Sequence, residues 1–148
     1  MPRQTKQTAK DHAADTDTAA VARLRAFGLR PTRQRRELAG LLFDGCDRHV
    51  TAESLHDEAT HAGARVSLAT VYNTLHQFTE AGLLRQIVVD AARSYFDTNV
   101  GDHQHFFHEE DGLLIDIPSQ TIAVSNVPAP PEGLAVDRVD VVVRVKRA

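Results

Sequence analysis

The sequence predicts an α+β protein in which helices come first and strands follow. Apolar residues recur at helical spacing between residues 21 and 82, two strand-like runs flank a polar turn at 84–97, and further strands alternate within 103–145. Helices that precede a separate group of strands are typical of the α+β class. We expect a disordered tail at 1–19, one domain at 20–98 and a second domain at 99–148.

The composition limits the classes of protein to which the chain can belong. The chain has 148 residues and a formal net charge of −3, and Cys46 is its only cysteine. An intramolecular disulfide and a zinc site that needs two or more cysteines are therefore excluded. Because there is neither an apolar run of roughly 18 residues nor a secretory signal pattern, we expect a cytoplasmic protein with no membrane partner.

Four helices are expected after the polar tail. The first, over 21–27, ends at Gly28, and the second begins at Pro31-Thr32. Thr51 is expected to cap the third helix and Ser67 the fourth. Apolar residues repeat at helical spacing in both of these helices, at Ala52, Leu55, Ala59 and Ala62 in the third and at Leu68, Val71, Leu75 and Phe78 in the fourth.

The connection between the third and fourth helices is short. Only Gly63-Ala64-Arg65-Val66 separates them, and a short turn with a glycine between two amphipathic helices indicates a helix-turn-helix motif. Strand-like runs at 84–89 and 94–97 follow, joined by a turn around Asp90. We expect this hairpin to be the wing of a winged helix-turn-helix domain.

The second domain is expected to contain strands at 103–108, 113–117 and 136–145. In the last strand, alternate valines from Val139 to Val145 are expected to line one buried face of a sheet. Prolines at 128, 130 and 131 argue against a long helix before that strand. Because a sheet of so few strands is marginal alone, we expect a second subunit to complete it.

Charge is distributed unevenly along the chain. Arg23–Arg36 contains six arginines and no acidic residue, whereas Asp97–Asp116 contains six acidic residues, three histidines and no Lys or Arg. The first stretch suits a polyanion and the second a cation. His103 and His105 stand two apart on a predicted strand and leave by the same face, an arrangement that suits a divalent metal.

The fourth helix presents uncharged hydrogen-bonding side chains opposite its apolar stripe. From Ser67 to Thr79 there is no Lys or Glu. Such side chains can read base edges in the major groove, and the upstream arginines can bind phosphates. We therefore predict that this helix reads DNA, with a solvated surface helix as the alternative. Its polar side carries Thr70, Asn73, His76 and Gln77, flanked by Tyr72.

Four stretches together resemble the ferric uptake regulator superfamily. They are GLRPTRQRRELAGLL, VTAESLHDEA, VSLATVYNTLHQFTEAGLL, and YFD followed by DHQHFF. The continuation NVPAPPEGL with VDVVVRV resembles the iron response regulator branch. The resemblance implies a winged-helix domain followed by a small α/β dimerisation domain. It implies a homodimer that binds double-stranded promoter DNA, is not an enzyme, and controls iron uptake and haem biosynthesis genes in response to iron or haem status.

The resemblance also implies, by position, two sets of functional residues. The implied DNA contacts are Arg30, Arg35, Thr70, Tyr72 and Asn73. The implied metal ligands are His49, Asp97, His103, His105 and Asp116, with Fe(II), Mn(II) or Zn(II) as the cation. Because these ligands come from both domains, one ion would join the two domains and restrict the hinge between them.

Three departures from the superfamily bear on the cofactor. His108-Glu109-Glu110-Asp111 replaces a paired-cysteine motif, so the structural zinc site is not expected. Gln104 interrupts the three consecutive histidines of the iron response branch, and Cys46 is followed by Asp47 rather than by proline. Haem is therefore a less favoured second cofactor.

Three alternative functions remain open. A peroxide-sensing repressor, in which bound Fe(II) promotes oxidation of a coordinating histidine, is the nearest alternative. A metallohydrolase centre is another, although five ligands leave little room for the open position that a catalytic metal needs. A third alternative is an interaction module that binds neither DNA nor metal.

Overall fold

The computed structural model describes residues 4–148, with side chains from residue 8 onward. The chain divides into two compact units, one ending at Val100 and the other comprising Gly101–Ala148. None of the described helices combines the length and apolar character needed to cross a membrane.

The elements of the first unit are α1 (Gln4–Ala26), α2 (Arg33–Leu42), β1 (His49–Val50), α3 (Ala52–His61), α4 (Leu68–Glu80), β2 (Arg85–Val88) and β3 (Ser94–Asp97). The second unit contains β4 (Gln104–His108), β5 (Leu113–Ile117) and β6 (Val142–Val145). This order confirms the predicted α+β class.

Helix α1 corrects the prediction of a disordered tail. Residues 1–3 of that tail lie outside the described residues, but 4–19 are helical and continue into the expected helix at 21–27. Four alanines at 4–19 favour a helix, whereas four threonines and three aspartates do not, so the composition alone did not indicate one. Asp17 pairs with Arg36 of α2, and Ala20 and Leu24 are buried in the core of the first unit. The described side chains at 8–19 are exposed except for half-buried Thr16, so the contact of α1 with the core comes from its last two turns.

The remaining helices of the first unit begin at their predicted caps. The hydroxyls of Thr32, Thr51 and Ser67 each accept the backbone N–H three residues later. The apolar stripe of α4 is buried as expected at Val71, Leu75 and Phe78. Leu68 is an exception at 38% exposed, because it is the first residue of the helix and precedes the turn that packs on the core.

The first unit closes with a small antiparallel sheet of order β1-β3-β2. Strands β2 and β3 form the predicted hairpin, and the Asp90 carboxylate stabilises its turn by accepting the N–H groups of Ala92 and Arg93. Strand β1 was not predicted, since two residues are too few to show a strand pattern. It places His49 opposite Asp97. Three helices with this hairpin and edge strand form a winged helix-turn-helix.

In the second unit, β4 lies between β5 and β6 and is antiparallel to β5 and parallel to β6. No residue of 118–141 is helical, in agreement with the prolines there. The strand predicted at 136–145 is limited to Val142–Val145. The Gln104 side chain replaces part of the ladder: its Oε1 accepts the Val141 N–H at 2.6 Å, and its Nε2 lies 3.5 Å from the Val139 carbonyl oxygen.

The two faces of this second sheet differ in character. By register, Phe106 and Ile115 share one face, with Leu113, Val143 and Val145 on the same side. Ile115 is 44% exposed, so the valine face that was predicted to be buried is only partly covered within one chain. The opposite face carries His105 and Asp116 beside buried Phe107 and Leu114.

Candidate functional site

Helix α4 presents the polar surface predicted for a reading helix. With Val71, Leu75 and Phe78 turned into the core, the opposite side is open to solvent. Thr70 is half-buried on this side, and its hydroxyl lies 3.0 Å from the Ser67 hydroxyl. The exposed side chains are Tyr72, Asn73, His76 and Gln77. None carries a fixed charge, so the surface offers hydrogen-bond donors and acceptors that suit base edges.

Arg35 is held on α4 rather than extended into solvent. Its Nε and Nη2 donate to Gln77 Oε1 at 3.3 and 3.0 Å, and its Nη1 donates to the Arg30 carbonyl at 2.9 Å. A polar cleft of about 470 Å³ lies between the start of α2 and α4 and is lined by Arg30, Arg35, Thr70 and Asn73 among others. Four of the five predicted DNA contacts therefore meet around this cleft.

Tyr72, the fifth, is bonded to α3 instead of lining the cleft. Its Oη donates to Glu53 Oε1 at 3.1 Å. That hydrogen bond, with smaller effects of burial and of the Glu53 charge, raises the pKa of Tyr72 above its usual range. Glu53 lies in the first turn of α3. Its contact with Tyr72 depends on how α3 packs on α4, which no local pattern reports.

The first set of metal-type donors is built into the wing sheet. His49 of β1 faces Asp97 of β3, and His49 Nε2 lies 3.0 Å from Asp97 Oδ2. The other carboxylate oxygen of Asp97 accepts the Asn99 N–H at 2.9 Å, which fixes the orientation of the carboxylate. Asp97 is fully buried, and a buried carboxylate requires such partners.

The second set of donors lies in the second unit. Asp116 of β5 is opposite His105 of β4, and both His103 Nε2 and His105 Nε2 are 3.3 Å from Asp116 Oδ1. His103 Nδ1 is 2.7 Å from the Gly101 carbonyl oxygen. Because a carbonyl can only accept, Nδ1 is the donor in this contact, and Nε2 is the ring nitrogen directed at the Asp116 carboxylate. The predicted pairing of the two imidazoles is therefore present, with both rings aimed at one carboxylate.

The spacing within each set fits a small divalent cation. Ligands at about 2.0–2.2 Å from one ion lie roughly 3 Å apart, and the distances from each histidine Nε2 to the carboxylate oxygen of its set are 3.0–3.3 Å. Imidazole nitrogens with carboxylate oxygens suit Fe(II), Mn(II) and Zn(II). Gln104, between the two histidines, is engaged with the segment before β6. It adds no donor to the set.

Comparisons with known proteins agree with this description. The model of the ferric uptake regulator family matches residues 26–141. The peroxide-responsive repressor PerR of Staphylococcus aureus (strain Mu50) is 30% identical over 97 residues, which are 66% of this chain and 65% of that protein. The ferric uptake regulator of Pseudomonas aeruginosa with manganese has a TM-score of 0.64 and 25% identity, over 86% of this chain and 97% of its own. The Vibrio cholerae ferric uptake regulator has a TM-score of 0.66 and 20% identity, over 86% of this chain and 98% of its own. At that identity, the similarity shows the fold alone.

Proposed function

Because the chain belongs to the ferric uptake regulator family, we propose that it is a metal-linked, sequence-specific DNA-binding transcriptional regulator in the cytoplasm. One observation carries this proposal: the winged-helix domain holds both a His49-Asp97 donor pair in its wing sheet and an exposed, uncharged reading helix, α4. Residues Thr70, Tyr72 and Asn73 contact bases, while Arg30 and Arg35 contact phosphates.

A single divalent ion takes donors from both sets. His49 and Asp97 supply two ligands, and His103, His105 and Asp116 supply three. Neither set alone fills the coordination shell of Fe(II) or Mn(II), and the family resemblance assigns all five positions to one site. Sharing an ion would restrict the hinge between the units and favour one orientation of the reading helix. The expected coupling between metal and DNA binding is ~1–3 kcal/mol.

The regulator acts as a homodimer through the second unit. Supporting this, Phe106, Leu113 and Ile115 leave an apolar sheet face partly exposed in the single chain, and apolar faces of this kind mark interaction sites. Two copies would present two reading helices, which suits half-sites about 34–36 Å apart or a multiple of that spacing. A hinge angle that displaces one helix would then lose the second half-site.

The target genes in this proposal are those of iron uptake and haem biosynthesis. The C-terminal stretch around NVPAPPEGL and the replacement of the paired cysteines by His108-Glu109-Glu110-Asp111 favour the iron response branch. Haem is the less favoured effector, because His103 and His105 aim Nε2 at Asp116, which suits a small cation. An enzymatic role is not proposed, since a five-donor site lacks the open position of a catalytic metal.

The experiment that tests the proposal is a gel-shift titration of the full chain on AT-rich promoter DNA. It is run without metal and with Fe(II), Mn(II), Zn(II) or haem. We expect at least one divalent metal to change the affinity for DNA by about 5–150-fold, the usual range of allosteric coupling. Affinity that is unaffected by every metal and by haem contradicts the metal-linked proposal.

A peroxide-sensing repressor is the second candidate, favoured by the similarity to the peroxide-responsive repressor of Staphylococcus aureus. The same five ligands would hold Fe(II), and a coordinating histidine would be oxidised. Mass spectrometry of iron-loaded protein after peroxide treatment separates the two candidates. Addition of one oxygen to His49 or His103 supports the peroxide sensor, and its absence counts against that function.

A further inference from the structure

Tyr72 is held from two sides although it stands on an exposed helix face. At its hydroxyl end, Oη donates to the Glu53 carboxylate at 3.1 Å. On its ring, His76 stacks one helical turn later, with ring centroids 6.3 Å apart and planes 20° from parallel. His76 in turn meets the buried ring of Phe96 edge-on at 5.6 Å. The phenol therefore has a fixed direction before any ligand arrives.

The carboxylate of Glu53 is an unexpected group at a surface proposed to meet DNA. Phosphates carry negative charge, so an acidic side chain beside the reading helix opposes sequence-independent binding. The Glu53 carboxylate also accepts the hydroxyl proton of Tyr72, which is the only hydrogen-bond donor of that side chain. A hydroxyl so engaged is withheld from phosphates, and the ring edge becomes the part of Tyr72 that is free to contact DNA.

Fixing the ring also changes the thermodynamics of recognition. A side chain that is already ordered loses less conformational entropy on binding. The apolar edge of an oriented ring suits the thymine methyl group, which distinguishes one base pair from the others in the major groove. A Tyr72 side chain released from Glu53 would sample several rotamers and could donate to any phosphate oxygen.

We propose that Glu53 is a positioning residue that sets the base preference of α4 by orienting Tyr72 and by disfavouring phosphate contacts. Glu53 acts through Tyr72 and itself touches no base. This inference rests on the proposed function, in which α4 reads DNA. It predicts an effect on the ratio of specific to nonspecific binding, whereas a structural role of Glu53 would alter stability or all DNA affinities alike.

The test is a double-mutant cycle in the full chain. The affinities of Glu53→Ala, Tyr72→Phe and the double variant are measured for an AT-rich promoter duplex that binds the wild type and for a scrambled duplex of the same length. We expect Glu53→Ala to lower the specificity ratio by roughly three- to tenfold, the range of one net hydrogen bond. Tyr72→Phe should lower it similarly, and the double variant should lose no more than either single variant.

Two further variants separate positioning from charge and folding. Glu53→Gln keeps an acceptor for Tyr72 and should retain most of the specificity ratio, and Asp57→Asn removes an exposed acid from the same helix α3 and should leave the ratio unchanged. Thermal denaturation confirms that each variant is folded. An unchanged ratio in Glu53→Ala, together with a loss in Tyr72→Ala, overturns the role of Glu53. If Tyr72→Ala is also without effect, the proposed reading of DNA by α4 fails as well.

Discussion

His49 lies directly opposite Asp97 in the antiparallel pair of β1 and β3, with its Nε2 atom 3.0 Å from Asp97 Oδ2. Strand β1 has only two residues, His49 and Val50. Its pairing with β3 brings a histidine from before α3 to a carboxylate at the end of the wing. If His49 and Asp97 bind an ion as proposed, the cation would act directly on the sheet of the proposed DNA-binding domain.

Substitutions on α4 and α2 should affect DNA binding differently. Tyr72→Ala is expected to cost ~1–3 kcal/mol of binding free energy and to relax base preference, because it removes a proposed base contact. Arg35→Ala should weaken binding to all sequences similarly and reduce the salt dependence, because it removes a proposed phosphate contact. Affinities on specific and scrambled duplexes at several salt concentrations check both. Wild-type binding by both variants would exclude α4 as the reader.

A charge on the apolar face of the second unit should separate the proposed homodimer. In Ile115→Lys, a lysine would replace a side chain on the face shared with Phe106, and burying it in an interface is unfavourable. Sedimentation equilibrium should show a monomer. Val88→Lys is the matched control, because Val88 is 61% exposed on the wing hairpin outside this face. Dimers that persist in Ile115→Lys contradict the proposed interface.

The packing of the C-terminal part of α1 on the core predicts a stability effect. Leu24 is fully buried in the core of the first unit, so Leu24→Ala should lower the free energy of unfolding by about 2–5 kcal/mol. Urea denaturation measures the change. Arg25→Ala, at an exposed neighbouring position, should be within about 0.5 kcal/mol of wild type. Equal stabilities of the two variants would show that α1 does not pack on this core.

The turn of the wing hairpin predicts a pH dependence. The hydrogen bond from the Arg93 side chain, followed by the N–H of Ala92, lowers the pKa of Asp90 below its ordinary value of 3.8. A lowered folded-state pKa stabilises the fold above pH 3.8, and this contribution is lost as the pH falls through the folded-state pKa. Asp90→Asn keeps the acceptor for the backbone and loses the charge. Thermal denaturation should therefore show that Asp90→Asn is less stable than the wild type at neutral pH and that the difference shrinks in acid. A difference that stays constant with pH would contradict a contribution from the Asp90 charge.

The sequence predicted those features that depend on local chemistry. Thr51 and Ser67 cap helices where expected because capping needs only the residue and its next three neighbours. The pairing of His103 with His105 followed from strand alternation. The helix over 4–19 was not predicted, because the polar residues there show no apolar period that would mark a helix.

The contacts that the sequence could not reveal are those between elements. The hydrogen bond from Tyr72 to Glu53 joins residues 19 positions apart. The hydrogen bond from Arg35 to Gln77 joins residues 42 positions apart. Neither pair follows a periodic pattern, and each depends on how two helices pack. The end of β6 was predicted well and its start poorly, because the Val141 N–H is bonded to the Gln104 side chain rather than to the backbone of β4.

The central claim is that one divalent ion uses donors from both units, and Mn(II) titration calorimetry on the full chain tests it most directly. The account predicts one site per chain in the wild type, with affinity reduced at least about tenfold in both His49→Ala and His105→Ala. The control His61→Ala, at an exposed position on α3, should bind as the wild type does. Wild-type affinity in either His49→Ala or His105→Ala would show that the ion is not shared, and would contradict the account.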